Sequence, residues 1–513
     1  MNKAARIVFS AVFFGCCALP LALYPTKKNT LEVEKRKLAE KPKLMADGKL
    51  NSDFSGDFDS WFSDHLPFRP QLLTAADGVR SRVLHSSAAG VITGKNGFIF
   101  SDTTVASYTG SDALTDRELN AIGITLSLLQ EQCDARDAGF TFVPMPNKNT
   151  VYSEYMPSNY IRAELTDIER LYPVLETYGV NYADMLTTLT DAKNSGMQVY
   201  HKRDTHWNYL GALLGYNCIM ESLGKEHKLY EGQLAYTVTD DWRGDLDKLL
   251  YPVGGGIMDE QYRYSIQFDD FSFMRPPGLT DTQAALANFM SDKEDNDTNF
   301  TSRKTTMTNG SKLYMVRDSF GRALLPYMID NYDTATFVRT NLPNLNLVPM
   351  KGDFVYEIVE RNLATVISTA PNMNAPLRGL AETEGEYFPD GSVLFAEDYP
   401  YGVRIFGALD ESLISDMTRI YVKLTGDGGS FAYEAFPILE TEELKKHGVT
   451  DLSDGCGVSM FLNKNDLPDG EYSVEVMTFD PLTGIQKNTG VLATYTVSNQ
   501  TQEVNENEQT ESG

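Results

Sequence analysis

Between residues 50 and 370 short apolar runs alternate with stretches whose apolar residues recur every three or four positions, the pattern of strands interleaved with amphipathic helices. Phe54, Phe58, Trp61 and Phe62 share one helical face, and Asp64-His65-Leu66-Pro67-Phe68-Arg69 ends that helix. A second helix is predicted from Gln71 to Val83. Gly97-Phe98-Ile99-Phe100 reads as a buried strand, Glu118 to Asp137 as a helix, and Phe140-Thr141-Phe142-Val143-Pro144 as the strand after it. Helix Ile168 to Tyr178 leads into strand Val180-Asn181-Tyr182, and a helix from near Asn208 carries Leu210, Leu213, Leu214 and Cys218 on its apolar side. The alternation resumes with strand Lys312 to Val316, helix Ala323 to Met328, strand Thr336-Phe337-Val338 and a closing helix, Tyr356 to Ile367. The fold class implied is α/β, a mostly parallel sheet covered by helices. The stretch from 225 to 310, with Gly254-Gly255-Gly256 and a polar run Ser291 to Asn309, breaks the pattern and reads as an insertion with hairpins that borders a cleft.

After Pro371 to Pro376 the period changes to two. Val393-Leu394-Phe395, Val403 to Phe406, Ile420 to Leu424, Val458 to Leu462, Tyr472 to Val476 and Leu492 to Val497 are strand candidates, separated by turn signals such as Asp390-Gly391 and Asp469-Gly470. They predict a β-sandwich over residues 386–498, joined to an α/β domain over 51–370 by a linker at 371–385. The tail at 499–513 is acidic, polar and expected to be disordered. At the other end, Lys3 and Arg6 precede an uncharged apolar stretch from Ile7 to Tyr24. It is long for a cleaved signal core and has no good small-residue cleavage site after it, so residues 1–25 are expected to be an uncleaved signal anchor, with a cleaved signal peptide as the second reading. Residues 26–50 then form a charged stalk. Its lysines oppose that orientation by the positive-inside tendency, but large domains translocate despite flanking charge. Cys16 and Cys17 sit in a poor lipobox.

At 513 residues the chain is too long for one core. Its net charge of −26 argues against nucleic-acid binding, which needs a basic face. Cys133, Cys218 and Cys456 are far apart and without CxxC spacing, so they are expected to be buried free thiols.

Two islands carry chemistry: Asp204-Thr205-His206-Trp207-Asn208 and Arg317-Asp318-Ser319-Phe320-Gly321. Ser319 lies where a strand gives way to a helix, which exposes its hydroxyl beside unpaired N–H groups of the helix start. A serine becomes nucleophilic when an imidazole takes its proton, and the imidazole needs a carboxylate to fix its tautomer. Asp204 and His206 can meet that need if the chain turns locally between them. Asp318 reads as structural, capping the helix or tying the turn. The blander reading makes both Asp318-Ser319 and Asp204 simple helix caps. A metal site built on His201, Asp204 and His206 is the chemical rival, but His65, His85, His227 and His447 are scattered and supply no second cluster. His201 is expected on the surface or in a strand.

The segment Tyr200-His201-Lys202-Arg203-Asp204-Thr205-His206-Trp207-Asn208, with Gly211-Ala212 after it, resembles the signature of the DHHW proteins and the alginate O-acetyltransferase-like group of the SGNH-hydrolase-like superfamily. Trp61-Phe62 with Asp64 to Arg69, Gly94 to Phe100, Val143 to Lys148 with Tyr152, and Arg317-Asp318-Ser319-Phe320 agree in order. The resemblance spans residues 50 to 370. It implies an SGNH-like, flavodoxin-like core with Ser319 as nucleophile, His206 as base and Asp204 as orienting acid. It also implies a permuted order in which Asp-x-His precedes Ser. Oxyanion donors beyond the Ser319 and Phe320 N–H groups stay unassigned, with Asn147 and Arg322 outside the assigned site. The resemblance further implies a polysaccharide acceptor, and acetyl groups delivered by a membrane-bound O-acyltransferase. The β-sandwich occupies the place of a carbohydrate-binding module, but Tyr399, Tyr401 and Tyr433 form no clear sugar platform. The expected activity is O-acetyl transfer to a cell-surface or secreted polysaccharide outside the cytoplasm, without metal or other cofactor; an acetylesterase with the same residues and a non-catalytic glycan-binding protein are the alternatives.

Overall fold

The computed structural model describes residues 38–46, 49–83, 89–227, 236–251, 256–264, 271–274, 299–306, 308–379, 386–387, 391–400, 402–439, 442–450 and 455–498, with scattered positions among the first 24. Most of the expected signal anchor and of the stalk, Gly254-Gly255 and the acidic tail lie outside these residues. Among the described residues no helix is long and apolar enough to cross a membrane.

The elements follow in chain order. Helices α1 (Phe54–Asp64) and α2 (Arg69–Val83) precede a small antiparallel pair, β1 (Val91–Thr93) and β2 (Ile99–Ser101). Next come α3 (Asp116–Asp134), β3 (Gly139–Met145), α4 (Asp167–Thr177), α5 (Met185–Asn194) and α6 (Tyr209–Ser222). The described parts of the insertion hold β4 (Tyr236–Trp242), α7 (Asp245–Leu250), β5 (Asp259–Tyr264) and β6 (Phe271–Met274). Then follow β7 (Phe300–Lys304), β8 (Lys312–Arg317), α8 (Leu325–Asn331), β9 (Thr334–Arg339) and β10 (Asp353–Val359).

Six strands make one sheet in the order β3-β10-β8-β9-β7-β6; the first four are parallel, and β7 and β6 add antiparallel at one edge. Alternate residues face opposite ways. Val143, Met145, Leu313, Met315, Phe337 and Val355 join one core with Met185 and Leu189 of α5, Leu213 and Tyr216 of α6 and Met328 of α8. Phe140, Phe142, Tyr314, Val316, Val338 and Tyr356 join the other with Leu119, Ile122 and Leu126 of α3 and Leu171 and Leu175 of α4. This is a helix–sheet–helix sandwich with a mixed sheet. Ends are set locally: Thr115 and Glu118 form a reciprocal capping box at the start of α3, and the Asn208 side chain accepts the Gly211 N–H at 2.9 Å to start α6.

Three predicted elements change. The expected helix Tyr356 to Ile367 is strand β10 followed by a 3-10 segment, Glu360–Ile367. Every residue of β10 is buried between the two helical layers, Asp353 and Glu357 included, so its two sides do not alternate between apolar and exposed, as in an inner parallel strand. Val180-Asn181-Tyr182 makes only an isolated bridge from Tyr182 to Phe142, and Gly97 to Phe100 feeds the small β1–β2 pair instead of the main sheet.

The C-terminal unit is β-rich and antiparallel apart from a short parallel pairing of Glu386–Tyr387 with its last strand. Its strands are β11 (Val393–Tyr399), β12 (Gly402–Ala408), β13 (Arg419–Gly426), β14 (Gly429–Ile438), β15 (Gly457–Asn463), β16 (Gly470–Phe479) and β17 (Gln486–Val497). They pair in one continuous path, β17-β16-β13-β14-β15-β12-β11, in which the long β14 serves both halves. Tyr433 is buried in its core, Tyr399 is exposed, and Tyr401 lies outside the described residues.

Phe406, Phe436, Ile438 and Leu444 of this unit pack into the core beneath α3. Buried Arg117 of α3 donates to the carbonyls of Gly455, Asp416 and Thr418 at 3.3, 3.3 and 2.8 Å. Arg117→Met strands those acceptors and is expected to lower the chemical-denaturation midpoint by the equivalent of about 2 kcal/mol. An unchanged midpoint would show that the joint does not depend on this side chain. Cys133 and Cys456 are buried and Cys218 half-buried, all as free thiols.

Candidate active site

Among the parallel strands β8 lies between β10 and β9, and the crevice beyond the carboxyl ends of such strands is where open α/β sheets bind ligands. Ser319 stands there, two residues past β8, as the cap of a 3-10 helix, Phe320–Leu324. Its turn is held from below. Asp318 accepts the N–H groups of Phe320 and Val359 at 2.8 and 2.9 Å, and Glu357 of β10 accepts those of Asp318 and Gly321, both at 3.0 Å. A Cβ on Gly321 would sit 2.6 Å from Arg317 Cβ and 2.8 Å from Glu357 Oε2, so a glycine is needed at that contact. Asp318 therefore ties the turn, as expected. The Phe320 N–H, expected as an oxyanion donor, is already committed to Asp318 and is withdrawn from that role.

The Asp204–His206 island is a tight loop. A Tyr200–Trp207 bridge and the bonds His201 N–H to His206 O (3.3 Å) and Asn208 N–H to Val199 O (3.0 Å) close it. The expected local turn is present: Asp204 Oδ1 accepts both His206 N–H at 3.0 Å and His206 Nδ1 at 2.7 Å. His206 Nε2 lies 2.9 Å from Ser319 Oγ. The structure thus brings Asp204, His206 and Ser319 into one hydrogen-bonded line. Asp204 does not cap α6; Asn208 does.

Several side chains outside the two islands hold the loop. Lys148, 5% exposed, points its ammonium at the carbonyls of His201, Lys202 and Asp204 at 3.2, 3.0 and 2.5 Å. The insertion closes the far side: Trp242 Nε1 and Asp245 N–H donate to Asp204 Oδ2 at 3.1 and 3.0 Å. The start of α7 presses on the loop backbone so closely that a Cβ on Gly244 would meet Arg203 O at 2.0 Å. Asp245 accepts the Thr205 N–H and hydroxyl at 2.8 and 2.5 Å, and one of its oxygens lies 3.7 Å from His206 Nδ1. Sequence reasoning missed Asp245 and Trp242, because the insertion carries no regular pattern. Lys148 lay in a recognised block without a role.

Burial alone would depress the His206 imidazole, but the hydrogen bond and charge of Asp204, with Asp245 adding, raise it above the ordinary histidine value. Burial likewise opposes the Asp204 charge, yet the His206 bond and charge hold its carboxyl well below the usual range. Asp245 is raised by burial and by the Asp204 charge. His201, expected on the surface or in a strand, is 1% exposed and stacked on Trp242 at 4.9 Å; burial lowers its imidazole to about 4 and keeps it neutral.

These groups border a cavity of about 480 Å³ that reaches Ser319, Tyr209, Arg243, Gln261, Arg322 and Arg339. Donor atoms of Asp204, His206 and Asp245 lie within 4.8 Å of one another, a spacing compatible with a cation. In this structure they bond to each other and to Thr205, Trp242 and the Asp245 N–H. The arrangement is that of an oriented imidazole poised to draw a proton from a hydroxyl.

Residues 91–258 match the family model described as SGNH hydrolase-like domain, acetyltransferase AlgX, a range that includes Asp204 and His206 and stops short of Ser319. A probable alginate O-acetylase AlgJ of Pseudomonas putida is 22% identical over 255 residues, 49% of this chain and 62% of the relative. Its Pseudomonas aeruginosa counterpart is 22% identical over 178 residues, 34% of this chain and 43% of the relative. The chain thus spans less than two thirds of the length of these curated relatives. Among solved structures, a DHHW family protein from Eubacterium siraeum matches at 15% identity and TM-score 0.40, over 54% of this chain and 93% of its own. The O-acetyltransferase domain of Pseudomonas putida AlgJ matches at 15% and 0.35, over 53% and 92%. Bacillus cereus PatB1 matches at 15% and 0.42, over 53% and 96%. The family match and the curated relatives bear out the resemblance to the DHHW and alginate O-acetyltransferase-like group, and with it the SGNH-like character of the α/β domain.

Proposed function

We propose that the protein is an extracytoplasmic O-acetyltransferase of a cell-surface or secreted polysaccharide, working through Ser319, His206 and Asp204. The observation that carries this reading is the single imidazole spanning Asp204 at 2.7 Å and Ser319 at 2.9 Å. Ser319 Oγ attacks the carbonyl carbon of an acetyl ester while His206 Nε2 takes its proton. The tetrahedral intermediate then collapses and the donor alcohol leaves with that proton. A sugar hydroxyl, deprotonated by the same imidazole, attacks the acetyl-serine and releases Ser319. Asp204 fixes the His206 tautomer and balances the imidazolium in both halves.

Water in place of the sugar makes the same site an esterase. The partial exposure of Ser319 and His206 supports that second reading, since solvent reaches the reacting atoms. Mass spectrometry of a candidate oligosaccharide after incubation with an acetyl donor distinguishes them: acetylated product supports transfer, and free acetate alone supports hydrolysis. The N-terminal sequence and the family resemblance support the remaining assignments. Residues 1–25 anchor the protein with its body outside the cytoplasm, a membrane-bound O-acyltransferase supplies acetyl groups, and the C-terminal unit is a β-sandwich that docks glycan or protein.

The base must be neutral to act. With its pKa raised, His206 gives an acid limb in kcat/KM lying above the ordinary histidine value, activity rising with pH through it. Asp245→Asn removes one of the charges that raise it, so the limb is expected to move to lower pH. A pH profile of p-nitrophenyl acetate hydrolysis checks this, and a limb that stays in place would remove Asp245 from the electrostatics of the base.

A further inference from the structure

We infer that Arg322 is a catalytic residue, supplying the charged donor to the oxyanion formed at Ser319. The inference rests on the acyl-transfer reading of the same site and adds to it the group that receives the developing negative charge.

The nucleophile turn is short of donors. The Phe320 N–H is committed to Asp318 at 2.8 Å, the Gly321 N–H to Glu357 at 3.0 Å, and the Arg322 N–H to the Ser319 carbonyl at 3.4 Å. That leaves the N–H of Ser319, one of the donors a helix start does not pair internally. One neutral donor is a sparse oxyanion site; removing a single donor from such a site ordinarily costs about 10²–10³ in rate.

Arg322 is placed to make up the difference. Ser319 has helical backbone angles (φ −69°, ψ −23°) and caps the 3-10 helix Phe320–Leu324. With three residues per turn, residues i and i+3 eclipse each other, so Arg322 projects from the same face as Ser319. Both line the cavity that holds His206. Arg322 is partly buried there, and among the described residues its guanidinium has no ion pair or hydrogen bond. The neighbouring Arg243 is spent on Asp247 and on the Tyr251 carbonyl. A partnered arginine could not turn toward a transient charge without breaking a bond, whereas Arg322 has none to break.

The step balances. The bond from Ser319 Oγ to the acetyl carbon forms, and the carbonyl π pair moves to oxygen, where Arg322 and the Ser319 N–H hold it. The Ser319 proton passes to His206 Nε2. Return of the pair re-forms the carbonyl and expels the donor alcohol, which takes the proton from His206.

Steady-state hydrolysis of p-nitrophenyl acetate by the full chain tests this with Arg322→Ala, Arg322→Lys and Ser319→Ala, each checked for an unchanged thermal melt. Arg322→Ala is expected to lose about 10²-fold in kcat with KM little changed, since the interaction exists only in the transition state. Arg322→Lys should recover part of that loss, and guanidinium ion should recover part of it in Arg322→Ala. Unchanged kcat in Arg322→Ala, with Ser319→Ala inactive, would overturn the role of Arg322 and leave the acyl-transfer reading standing. Loss confined to KM would also overturn it, assigning Arg322 to ground-state binding. Full activity in Ser319→Ala would remove both.

Discussion

Ser319→Ala is expected to lower p-nitrophenol release from the acetate ester by roughly 10⁴-fold or more, to what binding and the remaining polar groups give alone. Among the described residues Ser319 is the hydroxyl bonded to His206 Nε2, so a substitute nucleophile there has no base to activate it. The fold should not change. Ser319 is partly exposed, its described side-chain bond is the one to His206, and the turn is tied through the backbone to Asp318 and Glu357. An equal melting temperature with activity gone is therefore the expected pair of results. Equal activity in the two proteins would sink the catalytic reading and favour a protein that keeps the fold for glycan binding. Loss of activity to a chelator, with Ser319→Ala unaffected, would favour a cation at Asp204, His206 and Asp245.

Asp204→Asn is expected to cost about 10³–10⁴ in kcat, the scale seen when a triad carboxylate becomes an amide and the imidazole adopts the wrong tautomer. The geometry adds a second reason. Both oxygens of Asp204 accept, one from His206 and the other from Trp242 Nε1 and the Asp245 N–H. An asparagine amide must turn its NH₂ toward one of these donor sets, so either the histidine or the insertion loses its hold. The Asp204→Asn/Ser319→Ala double variant should be no slower than Ser319→Ala alone, because residues of one relay do not contribute independently. Additive losses would show two separate effects.

The sequence was most informative where local chemistry and local structure coincide. The Asp-x-His spacing needs a tight turn, and the loop closed by Tyr200 and Trp207 makes it; the change to a period of two after residue 371 reports the antiparallel C-terminal unit. It was least informative where burial on both faces hides the period. Phe354 to Val359 has no exposed face because helices cover both sides of β10, and its one polar residue, Glu357, sets no period, so there strand and helix look alike. Strand β14 was missed for a related reason: Gly429 and Pro437 frame a run buried without alternation from Ala432 on. The support of the site was unreadable for a different reason. Lys148, the insertion's Trp242 and Asp245, and Glu357 reach it from three separate parts of the chain, and only the assembled sheet and insertion bring them to Asp204 and Ser319.

The mechanism routes an acetyl group through Ser319, and trapping that acetyl-enzyme is the decisive experiment. The full chain is mixed with excess p-nitrophenyl acetate, quenched in acid within a single turnover, digested and analysed by mass spectrometry. One acetyl group on the peptide containing Ser319, absent in Ser319→Ala and strongly reduced in His206→Ala, is the expected result. Turnover at the full rate with that peptide unmodified throughout, or an acetyl group found elsewhere and unaffected by Ser319→Ala, would contradict it.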